Sequence, residues 1–461
     1  MATKFLLTHG YFLKDDPKEQ VIMKPYVPLG LLYISSFLKQ HNKEHEVFDS
    51  TFYSIEDLKQ KIVSYQPTCI AMYVNLMTRI NVLKIIKWHQ NNEETKNIHI
   101  ILGGPEVKHH ATELLNYGAS IICVGEGEQS MLELFEHFEN NNTIPTNIDG
   151  TIVKIENEII TNKERTLLKN INELPAPNRK AIDLNLYLNA WKGKHGYSTI
   201  SVSTMRGCPY TCKWCSRAVY GGTYRRRSAE LVVKELKEIK QNYNPDKFWF
   251  VDDVFTISHK WLKEFTEEVK KENLKISYEI ITRADRMNDE VIDLLKQSGC
   301  YRVWIGAESG SQKIIDAMDR RVDVQMVRDM IIKTKAAGME AGTFIMLGYP
   351  GETKEDIKET IHHLKTANPS FYTMTVAYPI KGTPLFEETK NQQIATIDWE
   401  LQTDRDIDFK RLHSKKYYEH ALRWVYNEVE FARTKSFGKK TKLKLKSILS
   451  QGLMKMEALK N

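Results

Sequence analysis

The sequence predicts an α/β protein: a doubly wound parallel sheet at the N-terminus, then a partial (β/α)6 barrel, then a helical tail. Three observations predict it. Short β-rich runs alternate with amphipathic helical runs along most of the chain. That alternation lapses into a proline-punctuated stretch near residue 175 and then restarts. Positive charge gathers at the end: residues 433–461 hold nine Lys/Arg against one Glu, so the remaining residues of a chain with net charge +7 sum to −1.

The first 140 residues carry five candidate strands, KFLLTHG, EHEVFDS, CIAMYVN, IHIILGG and SIICVGE. Between them lie the helical patterns LGLLYISSFLKQH, IEDLKQKIVSY, RINVLKIIKWHQ and HATELLNYG, and SMLELFEHFEN follows the fifth. Ligands of such sheets sit at the carboxyl ends of the strands. Those ends read Thr8-His9-Gly10, Asn75, Gly103-Gly104-Pro105 and Gly125-Glu126-Gly127-Glu128. Residues 141–195 read as a linker, with a hairpin in GTIVKIENEIIT and an extended LPAPNR. Residues 196–395 supply six further strands, STISVSTM, KFWFVDD, ISYEIIT, YRVWIGA, EAGTFIML and FYTMTVA. Six βα units suit a partial barrel, whose chemistry lies at the C-terminal strand ends. Residues 396–461 form the C-terminal helical region.

Composition narrows the function classes. Hydrophobic and charged contents of 41% and 27% are those of a globular chain. No apolar run reaches the roughly 18 residues of a membrane span. The start MATKFLLTHGYF lacks a signal-peptide core and cleavage site, which leaves the cytoplasm as the expected compartment. Outside the tail there is no compositional case for nucleic-acid binding. Six cysteines make a poor disulfide framework in so long a chain. Cys69 and Cys123 sit in apolar runs and read as buried small residues.

Cys208, Cys212 and Cys215 cluster in RGCPYTCKWC, directly after the first barrel strand. A structural zinc site would need a fourth ligand, and the nearest histidine, His195, lies upstream across a predicted strand. An iron–sulfur cubane is normally held by four thiolates. Three leave one iron open to a substrate or cofactor. The spacing C-x3-C-x2-C with Trp214 before the last cysteine resembles the signature of the radical S-adenosylmethionine (SAM) superfamily, and the resemblance covers nearly all of residues 198–390.

That resemblance implies a TIM-like barrel with a [4Fe-4S] cluster whose open iron is chelated by the amino and carboxylate groups of SAM. It implies reductive cleavage of SAM to a 5′-deoxyadenosyl radical, and an external electron donor of flavodoxin or ferredoxin type. It also implies SAM contacts. Asp252 and Asp253 in FVDDVF stand where the family holds the SAM amino group, and Glu308 in IGAESGS is placed for ribose or amino hydrogen bonds. Gly348 and Gly351 in GTFIMLGYPGET match the adenine-packing motif, and Arg283 ends the third strand, where it is placed to pair with the SAM carboxylate. Taken singly, each of these also reads as a strand-end turn or a surface salt bridge.

In the front domain, KPYVPLGLLYISSFL, GGPEV and VGEGEQSMLELF resemble the Rossmann-like cobalamin-binding domain that precedes many radical SAM barrels. That group includes the anaerobic magnesium-protoporphyrin monomethyl ester cyclase and C- and P-methylases. The likeness implies cobalamin at Gly103, Gly104, Gly125, Glu126 and Gly127, with Asn75 near the lower axial position. None of the fourteen histidines follows Asp by two residues, as the base-replacing D-x-H-x-x-G motif would require, so that axial site is expected to hold water or nothing. His109-His110 opens a polar segment and reads as solvent-exposed. A Rossmann-like domain that has kept its shape and lost the cofactor, or that holds the substrate, is the alternative.

The resulting expectation is an enzyme that methylates an unactivated carbon, or oxidises or cyclises a small-molecule or lipid-like substrate. Methylthio transfer is an alternative, weakened because the front domain offers only Cys69 and Cys123 for a second cluster. A non-catalytic Fe–S or cobalamin carrier is another, weakened because a carrier gains little from an open iron. In the tail, Leu445, Ile448, Leu449, Leu453, Met456 and Leu459 share one helical face flanked by lysines. Two readings follow: a terminal helix packed on the barrel with its lysines solvated, which is favoured, or peripheral contact with an anionic membrane.

Overall fold

The structure is a computed structural model that describes residues 3–460. The chain forms two compact units. The first comprises residues up to 209 with 216–249 and 398–403; the second comprises 210–215, 250–397 and residues from 404 onward.

The front sheet is built from β1 (Phe5–His9), β2 (His45–Phe48), β3 (Cys69–Tyr73), β4 (His99–Gly103) and β5 (Ile121–Cys123), joined by β6 (Thr151–Ile155) and β7 (Glu158–Thr161). Its order is β2-β1-β3-β4-β5-β6-β7. The first five strands are parallel, and the last two run antiparallel. All five residues of β1 are buried, because a doubly wound strand has helices over both faces. The period-two alternation sorts its side chains into two cores. Leu6, Ile70, Met72, Ile100 and Leu102 pack with Leu58, Val82, Ile86 and Leu114. Phe5, Leu7, Ala71 and Ile101 face the other way, onto Leu31, Leu38, Leu134 and Phe135.

The predicted doubly wound sheet is present. Its order 2-1-3-4-5 puts the topological switch between β1 and β3, where a ligand crevice opens beyond the strand ends. The hairpin expected in the linker instead extends this sheet, Cys123 pairing with Thr151. No local pattern in GTIVKIENEIIT specifies that distant partner.

The run STISVSTM is two strands, β8 (Thr199–Val202) and β9 (Met205–Arg206), parted at Ser203-Thr204. Arg206 of β9 pairs antiparallel with Arg225 of β10 (Arg225–Arg226). The strands β11 (Lys247–Phe250), β12 (Tyr278–Thr282), β13 (Cys300–Glu308), β14 (Glu340–Leu347) and β15 (Phe371–Val376) follow, with helices between them. The second sheet has the order β15-β14-β13-β12-β11-β8, and β12 to β15 are parallel. Six strands in chain order make the expected partial barrel. The chain then forms two long helices, Lys415–Arg433 and Phe437–Ala458. Among the described residues, no helix is long and apolar enough to cross a membrane.

Candidate active site

The cysteine loop has a protein-built stem. β9 and β10 clasp it, and Gly207, between β9 and Cys208, has φ +82°. A Cβ at Gly207 would lie 2.0 Å from the carbonyl oxygen of Thr223. Only glycine fits so close a crossing.

Within the first unit, Cys208 is buried, and Arg206 is anchored beside it in the chain. The Arg206 guanidinium donates to Glu126 at 2.8 Å and to Glu128, flanked by the rings of Tyr33 and Tyr220 at 5.1 and 5.2 Å. Arg225 donates to the other Glu126 oxygen at 2.8 Å, and the Leu168 N–H does so at 3.0 Å. Burial works to raise the Glu126 pKa, but Arg206 and Arg225 outweigh it and hold the carboxylate below its ordinary range.

In the second unit, Cys212 is buried and Cys215 exposed. Two guanidiniums converge on the Cys212 sulfur: Arg283 Nη1 and Arg320 Nη1 each stand 3.7 Å away. Arg283 is fixed there by Asp285 at 2.8 Å and by the carbonyl of Arg320 at 2.7 Å, with its plane 3.8 Å from the Tyr210 ring. Trp214 packs against Ile314, Met318, Met346, Tyr349 and Leu385, and backbone bonds from Lys213 to Met318 and from Leu385 to Lys213 tie the loop to that core. The aromatic residue of the signature is thus an anchor.

The remaining predicted positions stand at strand ends of the second unit. Asp252 is buried, whereas Asp253 is reached by water. The Asp253 carboxyl is nonetheless walled by protein, and that burial, with the like charge of Asp252, raises its pKa. Glu308 ends β13 at a bulge with φ +66°, a left-handed conformation unusual for a non-glycine residue. Arg320 stands 3.8 Å from its carboxylate. Burial raises the Glu308 pKa against the opposing charges of Arg320 and Arg283. Gly351 borders open space, while the missing side chain of Gly348 is replaced by the Tyr418 ring, 3.0 Å from where its Cβ would be.

At the front sheet the predicted positions divide. A Cβ on Gly103 or Gly125 would meet nothing nearer than 3.8 Å, so both leave room at the strand ends. Gly104 and Gly127 are needed for close packing, against the Val74 carbonyl and Ile34 respectively. The Asn75 side-chain oxygen caps the next turn, accepting the N–H groups of Met77 at 2.8 Å and Thr78 at 3.1 Å. His110 corrects its expectation: it is buried, 3.8 Å from Glu106, and accepts from Trp399 Nε1 at 3.4 Å.

Comparison with known families decides what this arrangement is. The B12 binding domain model matches residues 21–135, and the Radical SAM superfamily model matches residues 202–364. The chain is a B12-binding radical SAM enzyme.

This radical SAM enzyme is 28% identical to an uncharacterized methyltransferase of Pyrococcus horikoshii, over 84% of its own chain and 83% of the relative. It is 24% identical to the anaerobic magnesium-protoporphyrin IX monomethyl ester cyclase of Cereibacter sphaeroides, over 79% of the chain and 60% of the relative. Its fold is shared with the cobalamin-dependent S-adenosylmethionine radical enzyme OxsB (TM-score 0.76, 17% identity, 98% of this chain and 72% of that one). It is shared too with the radical S-adenosylmethionine methyltransferase TsrM of Kitasatospora setae (TM-score 0.70, 16% identity, 86% and 79%).

Its cofactors are a [4Fe-4S] cluster, SAM and cobalamin. The residues present fit them: three thiols outside any disulfide, cations beside Cys212, and open strand ends at Gly103 and Gly125. Cys69 and Cys123 are buried strand residues of raised pKa, about 12 for Cys123, which suits core packing and not a second cluster. Arg206, Arg225, Arg320 and Tyr210 were missed by the sequence reading. The only signal for the first two was the arginines of RGC and YRRRS bracketing the cysteine loop.

Proposed function

We propose that this cobalamin-dependent radical SAM enzyme transfers a methyl group to an unactivated carbon of a small organic substrate. The observation that carries the reading is the buried Arg206. It joins the strand-end loop of the B12-binding domain, through Glu126 and Glu128, to the stem of the cysteine loop. One substrate served by two cofactors requires those two strand-end regions to be held in fixed relation. The methyltransferase relative aligned over 83% of its length supports methylation over cyclisation.

Bound, the cluster, SAM and cobalamin supply the reductive cleavage and the methyl donation. In this reading Cys208, Cys212 and Cys215 hold the cluster. Arg283 and Arg320 offset the negative charge of the Cys212 thiolate, so Arg283 serves the cluster ligand and not the SAM carboxylate. Asp253, crowded by Asp252, would gain a cationic partner in the SAM amino group, and Glu308, held in a strained backbone, would accept hydrogen bonds from the same ligand. An external reductant of flavodoxin or ferredoxin type would supply the electron, and of the three cysteines Cys215 is the exposed one.

The test is anaerobic reconstitution with iron, sulfide and cobalamin, then SAM and reductant, followed by product analysis. Formation of 5′-deoxyadenosine together with S-adenosylhomocysteine is expected. Deoxyadenosine alone, with an oxidised or cyclised product, would overturn methylation in favour of the cyclase chemistry.

A further inference from the structure

The helix Phe437–Ala458 packs by the face that sequence would least select. Leu443, Ser447, Ser450 and Met454 are buried, against the helix Lys415–Arg433, with Ser447 donating to Glu428 at 2.6 Å. The opposite face carries Leu445, Ile448, Leu449 and Met456, continued by Leu459, all between 57 and 79% exposed. At 3.6 residues per turn these five form one stripe, with Gly452 within it. Lys439, Lys442 and Lys446 border the stripe on one side, and Lys440, Lys444 and Lys455 on the other. Phe437, 85% exposed, lies at its margin.

The helix therefore buries a mixed contact, two serines with a leucine and a methionine, and presents five apolar residues outward between two rows of cations. We infer that this face docks on an anionic membrane surface, the stripe entering the acyl boundary while the lysines meet the lipid headgroups. Charge selects this occupant. The helix holds six lysines and a single acid, Glu457. Among the described residues, Lys439, Lys442, Lys446 and Lys455 have no acidic partner, and only Lys444 is paired, with Glu428 at 3.5 Å. A second copy of the chain laid on the stripe would bring lysine rows against lysine rows. Nucleic acid would satisfy the lysines and leave the leucines in water. An anionic bilayer satisfies both.

The test is co-sedimentation of the full-length reconstituted enzyme with vesicles of phosphatidylcholine alone or with one-third phosphatidylglycerol. The wild type is expected to pellet with the mixed vesicles and not the neutral ones, and less so in high salt. The L445S/I448S/L449S variant is expected to lose about tenfold or more in partitioning, and K442E/K446E at least about fivefold per lysine. Iron content and SAM cleavage in detergent-free buffer should be unchanged, which shows that these surface variants are folded. Equal pelleting of the triple-serine variant, or no pelleting of the wild type, would overturn the inference. So would sedimentation velocity showing a dimer that the serines dissolve, or tighter retention on duplex DNA than on the vesicles.

Discussion

Replacing Glu352 by glutamine isolates one ionisation in the loop after β14. The side chain is fully buried. One carboxyl oxygen accepts the Gly348 N–H at 2.5 Å, and among the described residues the other has no hydrogen-bond partner. Burial outweighs the Gly348 bond, Asp356 adds its negative charge, Lys313 opposes it, and the pKa is pushed up from 4.5 to about 8. Between those values the folded chain holds a proton that the unfolded chain has released. The stability contribution is therefore full below 4.5, falls as pH rises, and is lost once pH passes about 8. The displacement corresponds to roughly 5 kcal/mol between its limits, of which about 3 kcal/mol falls between pH 5 and 8. Glutamine keeps the acceptor for Gly348 and cannot ionise. Denaturant unfolding of wild type and E352Q, run in parallel across that interval, cancels every other titrating group. The wild type should lose ground to the variant by about 3 kcal/mol as pH rises. A constant offset between the two curves would refute the reasoning, since it would mean that folding leaves this carboxyl's ionisation unchanged.

Three further outcomes are expected. Cys212→Ala removes a proposed cluster ligand, so iron content should fall and SAM cleavage should be lost; cleavage at the wild-type rate would contradict the ligand assignment. Asp253→Asn should weaken SAM binding to the cluster-loaded enzyme by roughly tenfold to a hundredfold, the scale of a hydrogen bond to a charged group, as read by equilibrium dialysis. Arg206→Gln leaves Glu128 buried without its cation and Glu126 with Arg225 alone, and should cost about 3–5 kcal/mol, seen as a lowered thermal midpoint. Neutralising both glutamates in that background should recover part of the loss, and no recovery would show that the arginine acts by packing alone.

What the sequence disclosed was what short-range pattern can encode. Alternating strands and helices, glycines at strand ends and the three-cysteine spacing all lie within windows of a few turns, and both the fold class and the family followed from them. What it hid depends on partners far along the chain. The pairing of Glu126 with Arg206, 80 residues later, is invisible to local pattern. His110 looked exposed because its ring partner, Trp399, is 289 residues away. The hairpin at 151–161 announced its turn and not the edge it would join. In the last helix, periodicity located the apolar face and said nothing of which face would find a neighbour.

The left-handed backbone at Glu308 sets stability and chemistry at odds. Glycine would relax that residue at once, and asparagine nearly so, yet either removes the carboxylate. With Glu308 in its proposed role beside SAM, a library of this enzyme selected only for resistance to heat should drift away from glutamate there and grow sturdier as it falls silent. Thermostability engineering of this chain therefore does best to hold that one position fixed and search elsewhere.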